Sequence, residues 1–357
     1  MYEGPIVKHV PEDFLVRENM VVQLAEEVAA SHQYLVLRKC GYTTHEAIRI
    51  VADLLSVSSR EVSYGGLKDE DGVTEQLISV PAGAFAEMAT GATSLEEGPR
   101  WIRLQHYGYG HEPLRIGQLE GNGFRIIVRN LDAEKAEFLE SLKKENFFFL
   151  NYYGIQRFGV PGGPKNTHLV GAAILEKDWG KALQELIELR APESCMAKQW
   201  RGGAERFFAE LDPRVTSFYL ASHASRQWNT QLEELVSRAC PSRTISVNVE
   251  GMTYKYPYSA DAVIKVLGAK SELPYARYTY ENGNPVATIS MRPCAVQTSV
   301  SFGRSELDER ISGSYQIGLR FFLPSGSYAT IAVDQLLSNA TVRLSARETS
   351  ESRSEDE

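Results

Sequence analysis

The sequence predicts an α+β protein, and three observations carry that expectation. Alternating apolar runs recur along the chain: Asp13 to Glu18, Gln33 to Arg38 and Tyr315 to Leu323 each have the period of a half-buried strand. Amphipathic helices stand among them. Thr43 precedes Glu46 by three residues, a capping-box spacing, and Ala47, Ile48, Ile50, Val51, Leu54 and Leu55 follow at helical spacing, which predicts a helix over 44–56. Finally, the texture turns helical over 166–240 and returns to strand near 315, so strands and helices are segregated rather than regularly alternating.

The remaining elements follow in chain order. Residues 60–80 read as a strand at Val62 to Tyr64, a Gly65-Gly66 turn and a strand from Thr74 to Val80. A further strand is expected at 99–107. Phe124 to Arg129 reads as a strand opened by a Gly121-Asn122-Gly123 turn. Asp132 caps a helix that carries Phe138, Leu139 and Leu142. The aromatic run Phe147 to Tyr153 reads as a buried strand. Gly159 to Pro164 is a glycine- and proline-rich hinge, where a domain boundary is expected. Leu169, Ala172, Ala173 and Leu175 keep helical spacing, as do Phe218, Leu220, Ala221 and Trp228. Short strands near 243–257 and a helix from Tyr328 to Leu337 complete the chain. Residues 346–357 are polar and mostly acidic, with nothing apolar to bury, and read as a disordered tail.

Composition narrows the function. The chain has 357 residues, 43% hydrophobic and 24% charged, which excludes a disordered or collagen-like polymer and leaves room for two domains. Lys and Arg number 38 against 46 Asp and Glu, a net charge of −8. That argues against a protein coated in nucleic acid but permits a local basic strip. Basic residues from Arg38, Lys39 and Arg103 through Arg125 and Arg129 to Arg201 are available to build one. Four scattered cysteines with no C-x-x-C pair predict neither a disulfide framework nor a structural zinc. With no signal-peptide pattern and no apolar stretch of about 18 residues, a cytoplasmic protein without membrane spans is expected. H-x-x-x-H, G-x-x-x-x-G-K-[ST] and G-x-S-x-G are absent, so a metal hydrolase, a P-loop enzyme and a serine esterase lack their parts.

Four clusters stand out: Lys8 with Pro11 to Glu18, Gly65 to Gln76, Gly121 to Phe124, and Asn151 to Gly159. Each has an ordinary reading. A Lys-Asp pair in a glycine turn is usually a solvated tip, an asparagine between glycines a turn residue, and a phenylalanine at a strand start part of the core. Together they resemble the TruD family of tRNA pseudouridine synthases. The family's G-x-K-D-x-x-A-x-T-x-Q falls on Gly66 to Gln76, and its N-Y-F-G-x-Q-R-F-G on Asn151 to Gly159. P-E-D-F-x-V-x-E falls on Pro11 to Glu18 with Lys8 upstream, G-N-x-F on Gly121 to Phe124, and L-P-x-G-S-F-A-T on Leu323 to Thr330. The matches come in family order and span nearly the whole chain. Gly72 replaces an alanine of the pattern, and Tyr153 and Tyr328 replace phenylalanines. None of these changes removes an acid, base or nucleophile.

The resemblance implies a pseudouridine synthase catalytic fold, a mixed and mainly antiparallel sheet with flanking helices. That domain is expected from 1–160 plus 312–345, with 161–311 an inserted TruD-specific α/β domain. It implies isomerisation of a uridine in tRNA (uridine 13, often in tRNA-Glu) with no cofactor and no metal, by a monomer. Asp69 is then the catalytic aspartate. It acts either as nucleophile on C1′ or as base on the 2′ proton, and the sequence leaves both routes open. Lys8 supplies a cation beside it. Phe124 stacks on the flipped-out base, Phe14 and Tyr328 wall the pocket, and Asn122 holds the aspartate or the base edge. Gln156 and Arg157 brace the site or reach a phosphate, and Glu12 and Gln76 are lesser candidates. The tRNA is expected in a cleft between the two domains. The competing readings are a non-catalytic RNA-binding relative and a glycoside-type enzyme, for which Asp69 and Asp71 stand too close together to be a spaced acid and base.

Overall fold

The structure is a computed structural model and describes residues 4–68, 70–84, 93–115, 117–159, 163–281 and 283–355. It divides into two compact units, residues 1–146 with 298–326 and residues 147–297 with 327–357. The divisions fall after 146, 297 and 326, so the first leaves the chain ahead of the texture change near 160, the second returns it ahead of 312, and the last helix groups with the second unit. The reason is aromatic packing: Tyr152 meets Tyr254 and Tyr256, and Tyr153 meets Trp228 and Tyr275, so the run after Asn146 belongs with the later residues.

The first unit contains β1 (Ile6–Val7), β2 (Phe14–Met20), β3 (His32–Cys40), α1 (Thr44–Leu54), β4 (Ser63–Tyr64), β5 (Val73–Pro81), β6 (Thr93–Glu97), β7 (Arg100–Gly110), β8 (Leu119–Leu131) and α2 (Ala133–Ser141). The second contains most of β9 (Lys144–Leu150), then α3 (Thr167–Leu175), α4 (Trp179–Glu188), α5 (Pro192–Gln199), α6 (Ala204–Glu210), α7 (Pro213–Ala239), β10 (Thr244–Val249), β11 (Met252–Pro257), α8 (Ala260–Ala269), β12 (Glu272–Glu281) and β13 (Asn284–Pro293). β14 (Ala295–Leu307) leads back, β15 (Tyr315–Pro324) completes the sheet, and α9 (Ala329–Glu355) follows. That last helix takes in most of the polar stretch that texture sets apart as a tail.

The sheet of the first unit runs β6-β7-β3-β5-β2-β8-β15-β14. Its pairs are antiparallel except β2 with β5, which is parallel. The Thr43–Glu46 capping box forms as the spacing predicts: Glu46 N donates to Thr43 Oγ1 at 3.2 Å and Thr43 N to Glu46 Oε2 at 2.8 Å. It aims Ala47, Ile48 and Val51 of α1 onto Leu35, Leu37, Ile78 and Leu104. Burial of such a face supplies about 1.5–3 kcal/mol for each large apolar side chain. The second unit has its own helical core, where Ile174, Leu186, Phe207, Phe208 and Leu220 pack together.

The Gly121-Asn122-Gly123 segment is not a turn. It lies inside β8, with Asn122 opposite Glu18 on β2 and Leu323 on β15. A Cβ on Gly121 would stand 2.2 Å from Leu323 O. The glycine is there so that two strands can approach closely, a constraint from 200 residues away that local sequence reads as a turn.

Arg129 fastens the first unit from within. It is 2% exposed, and its Nε and Nη2 donate to both carboxylate oxygens of Asp13 at 2.8 Å while Nη1 donates to Asp308 Oδ1 at 2.8 Å. The aspartate of the P-E-D-F element is thus a structural partner joining the 3-10 turn before β2 (Pro11–Asp13), β8 and the β14–β15 connection. Arg129→Met leaves two buried carboxylates without their cation. The expected cost is about 3–5 kcal/mol, measured as a lowered urea midpoint; an unchanged midpoint would contradict the role.

In the second unit, burial raises the Asp334 carboxyl on α9 to about 6. A raised carboxyl favours the folded state fully below its unfolded value near 3.9 and loses that contribution as pH rises through about 6. Asp334→Asn removes the titration. The variant should therefore gain stability relative to the wild type as pH goes from 4 to 7, read by urea melts; a pH-independent difference would refute it.

Candidate functional site

Across β2, β8 and β15 the register sets one face. Val16 lies opposite Phe124, and Phe124 opposite Phe321. Direct partners in a ladder share a face, so Phe14, Val16 and Glu18 stand with Asn122, Phe124, Phe321 and Leu323. Phe124 stacks on Phe321 with centroids 5.4 Å apart and meets Phe14 edge-on at 6.0 Å. Lys8 holds its Nζ 4.1 Å from the Phe14 ring centroid, from a backbone at φ 63 that residues with a Cβ rarely adopt. The structure thus brings together Lys8, Phe14, Asn122 and Phe124. Asn122 Oδ1 is buried and has no hydrogen-bond partner among the described residues. Leaving such an acceptor unmet costs about 1–3 kcal/mol.

Asp69 lies outside the described residues, but the chain on both sides of it is described. Lys68 N donates to Thr44 Oγ1 at 2.8 Å. Lys68 Nζ forms an ion pair with Glu18 Oε1 at 2.7 Å, with the two side chains only 5% and 1% exposed. The other Glu18 oxygen accepts from Leu77 N at 3.2 Å. Gln76 Nε2 donates to Gly66 O at 3.2 Å, which gives this lesser candidate a bracing role. On the far side, a Cβ on Gly72 would meet Phe14 O at 2.6 Å, so that backbone lies directly against the aromatic cluster.

Sequence reasoning missed Thr44 and assigned Lys39 to a basic surface. Lys39 is fully buried instead. Its Nζ donates to Tyr42 O at 2.8 Å and reaches Lys68 O at 3.5 Å. Arg129, also counted toward a basic strip, is buried on Asp13 and Asp308. Both cations lie in the interior, where each has the oxygen partners that a buried charge needs. Glu12 is exposed at the surface.

Gln156, Arg157 and Tyr328 belong to the second unit. Gln156 is exposed on a single 3-10 turn, Ile155–Phe158. Arg157 Nε donates to Ser225 Oγ at 3.2 Å. Tyr328 meets Tyr153 edge-on at 5.8 Å, and a Cβ on Gly154 would lie 2.9 Å from the Tyr328 ring. The glycine of one motif makes room for the aromatic ring of another. Asn229, which no motif names, holds the segment reciprocally: its Oδ1 accepts from Tyr153 N and its Nδ2 donates to Tyr153 O, both at 2.9 Å.

A family model described as tRNA pseudouridine synthase D (TruD) matches residues 3–239. The chain belongs to the TruD family. A tRNA pseudouridine synthase D from Geotalea daltonii is 37% identical over 210 residues, which span 58% of this chain and about half, 49%, of that one. Another from Geobacter sulfurreducens is 28% identical over 402 residues and 94% of each chain. A solved structure assigned to TruD from Methanosarcina mazei aligns with TM-score 0.63 over 94% of both chains at 20% identity, which establishes the shared fold. Among the described residues no helix is long and apolar enough to cross a membrane, and no group of three or more His, Cys, Asp or Glu gathers as metal ligands would. Two departures from the TruD pattern have physical consequences. The hydroxyl that Tyr153 adds finds Tyr275 as a hydrogen-bond partner. Gly72, which stands at the alanine of the motif pattern, lies too near Phe14 O for a methyl group.

Lys68→Met strands the Glu18 carboxylate in the interior and should cost about 3–5 kcal/mol. Adding Glu18→Gln removes the stranded charge and should restore part of that stability. Urea melts of the single and double variants decide it, and simply additive losses would contradict a coupled pair.

Proposed function

We propose that the chain isomerises a uridine of tRNA to pseudouridine, using Asp69 at C1′ of a nucleotide drawn out of its stack. The observation that carries this is the clustering of Phe14, Phe124 and an Asn122 acceptor with no partner among the described residues on one sheet face, with Lys8 over the Phe14 ring and the segment leading to Asp69 held by Thr44. Membership of the TruD family supports the same reading.

In the reaction the C1′–N1 bond breaks, the uracil turns, and C5 bonds to C1′ while the C5 proton leaves and N1 regains one. No electrons enter or leave. Asp69 acts either by attacking C1′ or by taking the 2′ proton, and each route needs the carboxylate ionised. Lys8, above the Phe14 ring, supplies a cation to this region. Phe321 covers one face of Phe124 and Phe14 meets its edge, so the uracil uses the remaining face. Stacking there is worth about 1–3 kcal/mol. Asn122 Oδ1 gains its missing partner by accepting from an N–H of the base edge. In the second unit, Gln156, Arg157 and Tyr328 contact the RNA. Uridine 13 is the position that the family pattern implies.

Tritium at uracil C5 of tRNA transcripts tests this. The full-length protein should release it and form pseudouridine, and Asp69→Asn should lower the single-turnover rate at least about 1,000-fold while still binding tRNA. Product formed equally by both proteins removes Asp69 from the chemistry. No product on any tRNA removes the activity.

A further inference from the structure

The second unit carries a cationic cluster that the motifs name only in part. Its floor is buried and aromatic. Tyr153 stacks on Tyr275 with centroids 5.3 Å apart and meets Trp228 edge-on at 5.8 Å. Arg292 lies over this floor, its guanidinium carbon 4.1 Å from the Tyr153 centroid and 5.0 Å from that of Trp228. Asn151 fixes one edge of that guanidinium, accepting from Nη2 at 2.9 Å through both its backbone and its side-chain oxygen. Arg157 reaches the same floor. Its Nε donates to Ser225 Oγ, which lies 3.4 Å from the Tyr275 hydroxyl, and the guanidinium also hydrogen-bonds that hydroxyl. Arg157, Arg292 and Tyr328 each keep partial exposure.

Two guanidiniums therefore converge on phenols. The two guanidinium charges oppose each other: burial first, and Arg157 among the neighbouring charges, hold Arg292 below the usual arginine range. Burial opposes ionisation of Tyr275, yet hydrogen bonding to Ser225, the Arg157 charge and Tyr153 bring its phenol below the ordinary tyrosine value. An oxyanion placed between the forks relieves that repulsion and accepts from both.

We propose that Arg157 and Arg292, above the Tyr153–Tyr275 floor, form a binding site for one phosphodiester of the RNA substrate. The proposal rests on the chain acting on RNA and adds Arg292, Tyr275 and Asn151 to the residues that serve it. Arg292 and Arg157 make the contact; Asn151 and Tyr275 are positioning residues.

The test is the salt dependence of tRNA binding by the full-length protein, with pseudouridine formation followed on the same transcript. Each phosphate contact contributes about 0.9 to the slope of log affinity against log salt. Arg292→Gln should reduce the slope by about one and weaken binding about 10-fold at low salt, and Arg157→Gln should do the same. Arg292→Lys, which keeps the charge, should retain the slope, whereas a merely structural role would show as lost stability with the slope unchanged. Arg214→Gln, exposed and paired with Asp212, is the control and should leave the slope alone. Wild-type slopes in both glutamine variants overturn the site. Product formation with unchanged slopes removes this site and leaves the enzymatic reading standing. Reduced slopes without product formation keep the site and remove that reading.

Discussion

The interior ion pair between Lys68 and Glu18 is the constraint on which the rest depends. It joins β2, which carries Phe14, to the segment that leads into Asp69, and it does so where neither charge can be exchanged for water. A buried pair of this kind is a weak source of net stability, because desolvation offsets much of the attraction. Its value is geometric: breaking it leaves a charge stranded, so alternative placements of the segment are costly. Thr44 on the backbone of Lys68 and Gln76 on Gly66 add neutral hydrogen bonds that fix the same few residues.

This arrangement explains why the motif residues divide into two kinds of work. Asp13, Glu18, Gly121 and Gly154 have visible structural work. They hold an arginine, hold a lysine, let two strands touch, and make room for a ring. Lys8, Phe14, Asn122 and Phe124 gather a cation over a ring, two ring faces and an acceptor with no partner among the described residues. The proposed reaction, which turns a detached base within one pocket, needs both: rigid surroundings for the carboxylate, and a stacking surface that tolerates rotation because it makes no directional bond.

Much of the fold was legible because its signals are local. Alternation gives β2, β3 and β15, and the Thr43–Glu46 box gives α1 within two residues of its ends. The failures share one cause, a constraint set by distant chain. Glycine density around Asn122 mimics a turn, while the actual reason is Leu323 O. Lys39 is indistinguishable from a surface lysine until Tyr42 O and Lys68 O are seen around it. The aromatic run after Asn146 marks a buried strand by composition, but only its partners at 228, 254 and 275 show with which compact unit it packs. The candidate site was legible to the extent that motifs carried it. Thr44, Asn229 and Arg292 sit outside every motif, at separations of 24, 76 and 141 residues from the groups they hold.

In the proposed reaction a uridine leaves its stack and lies between Phe124 and Asp69. The most direct measurement is an experimental structure of the Asp69→Asn protein bound to an unmodified tRNA, since that variant should hold its substrate without converting it. The account predicts an extruded uridine with its uracil stacked on Phe124, an N–H directed at Asn122 Oδ1, and its C1′ beside the substituted side chain. A tRNA bound with every uridine still stacked in the RNA, or an extruded uridine held away from Phe14 and Phe124, would contradict it.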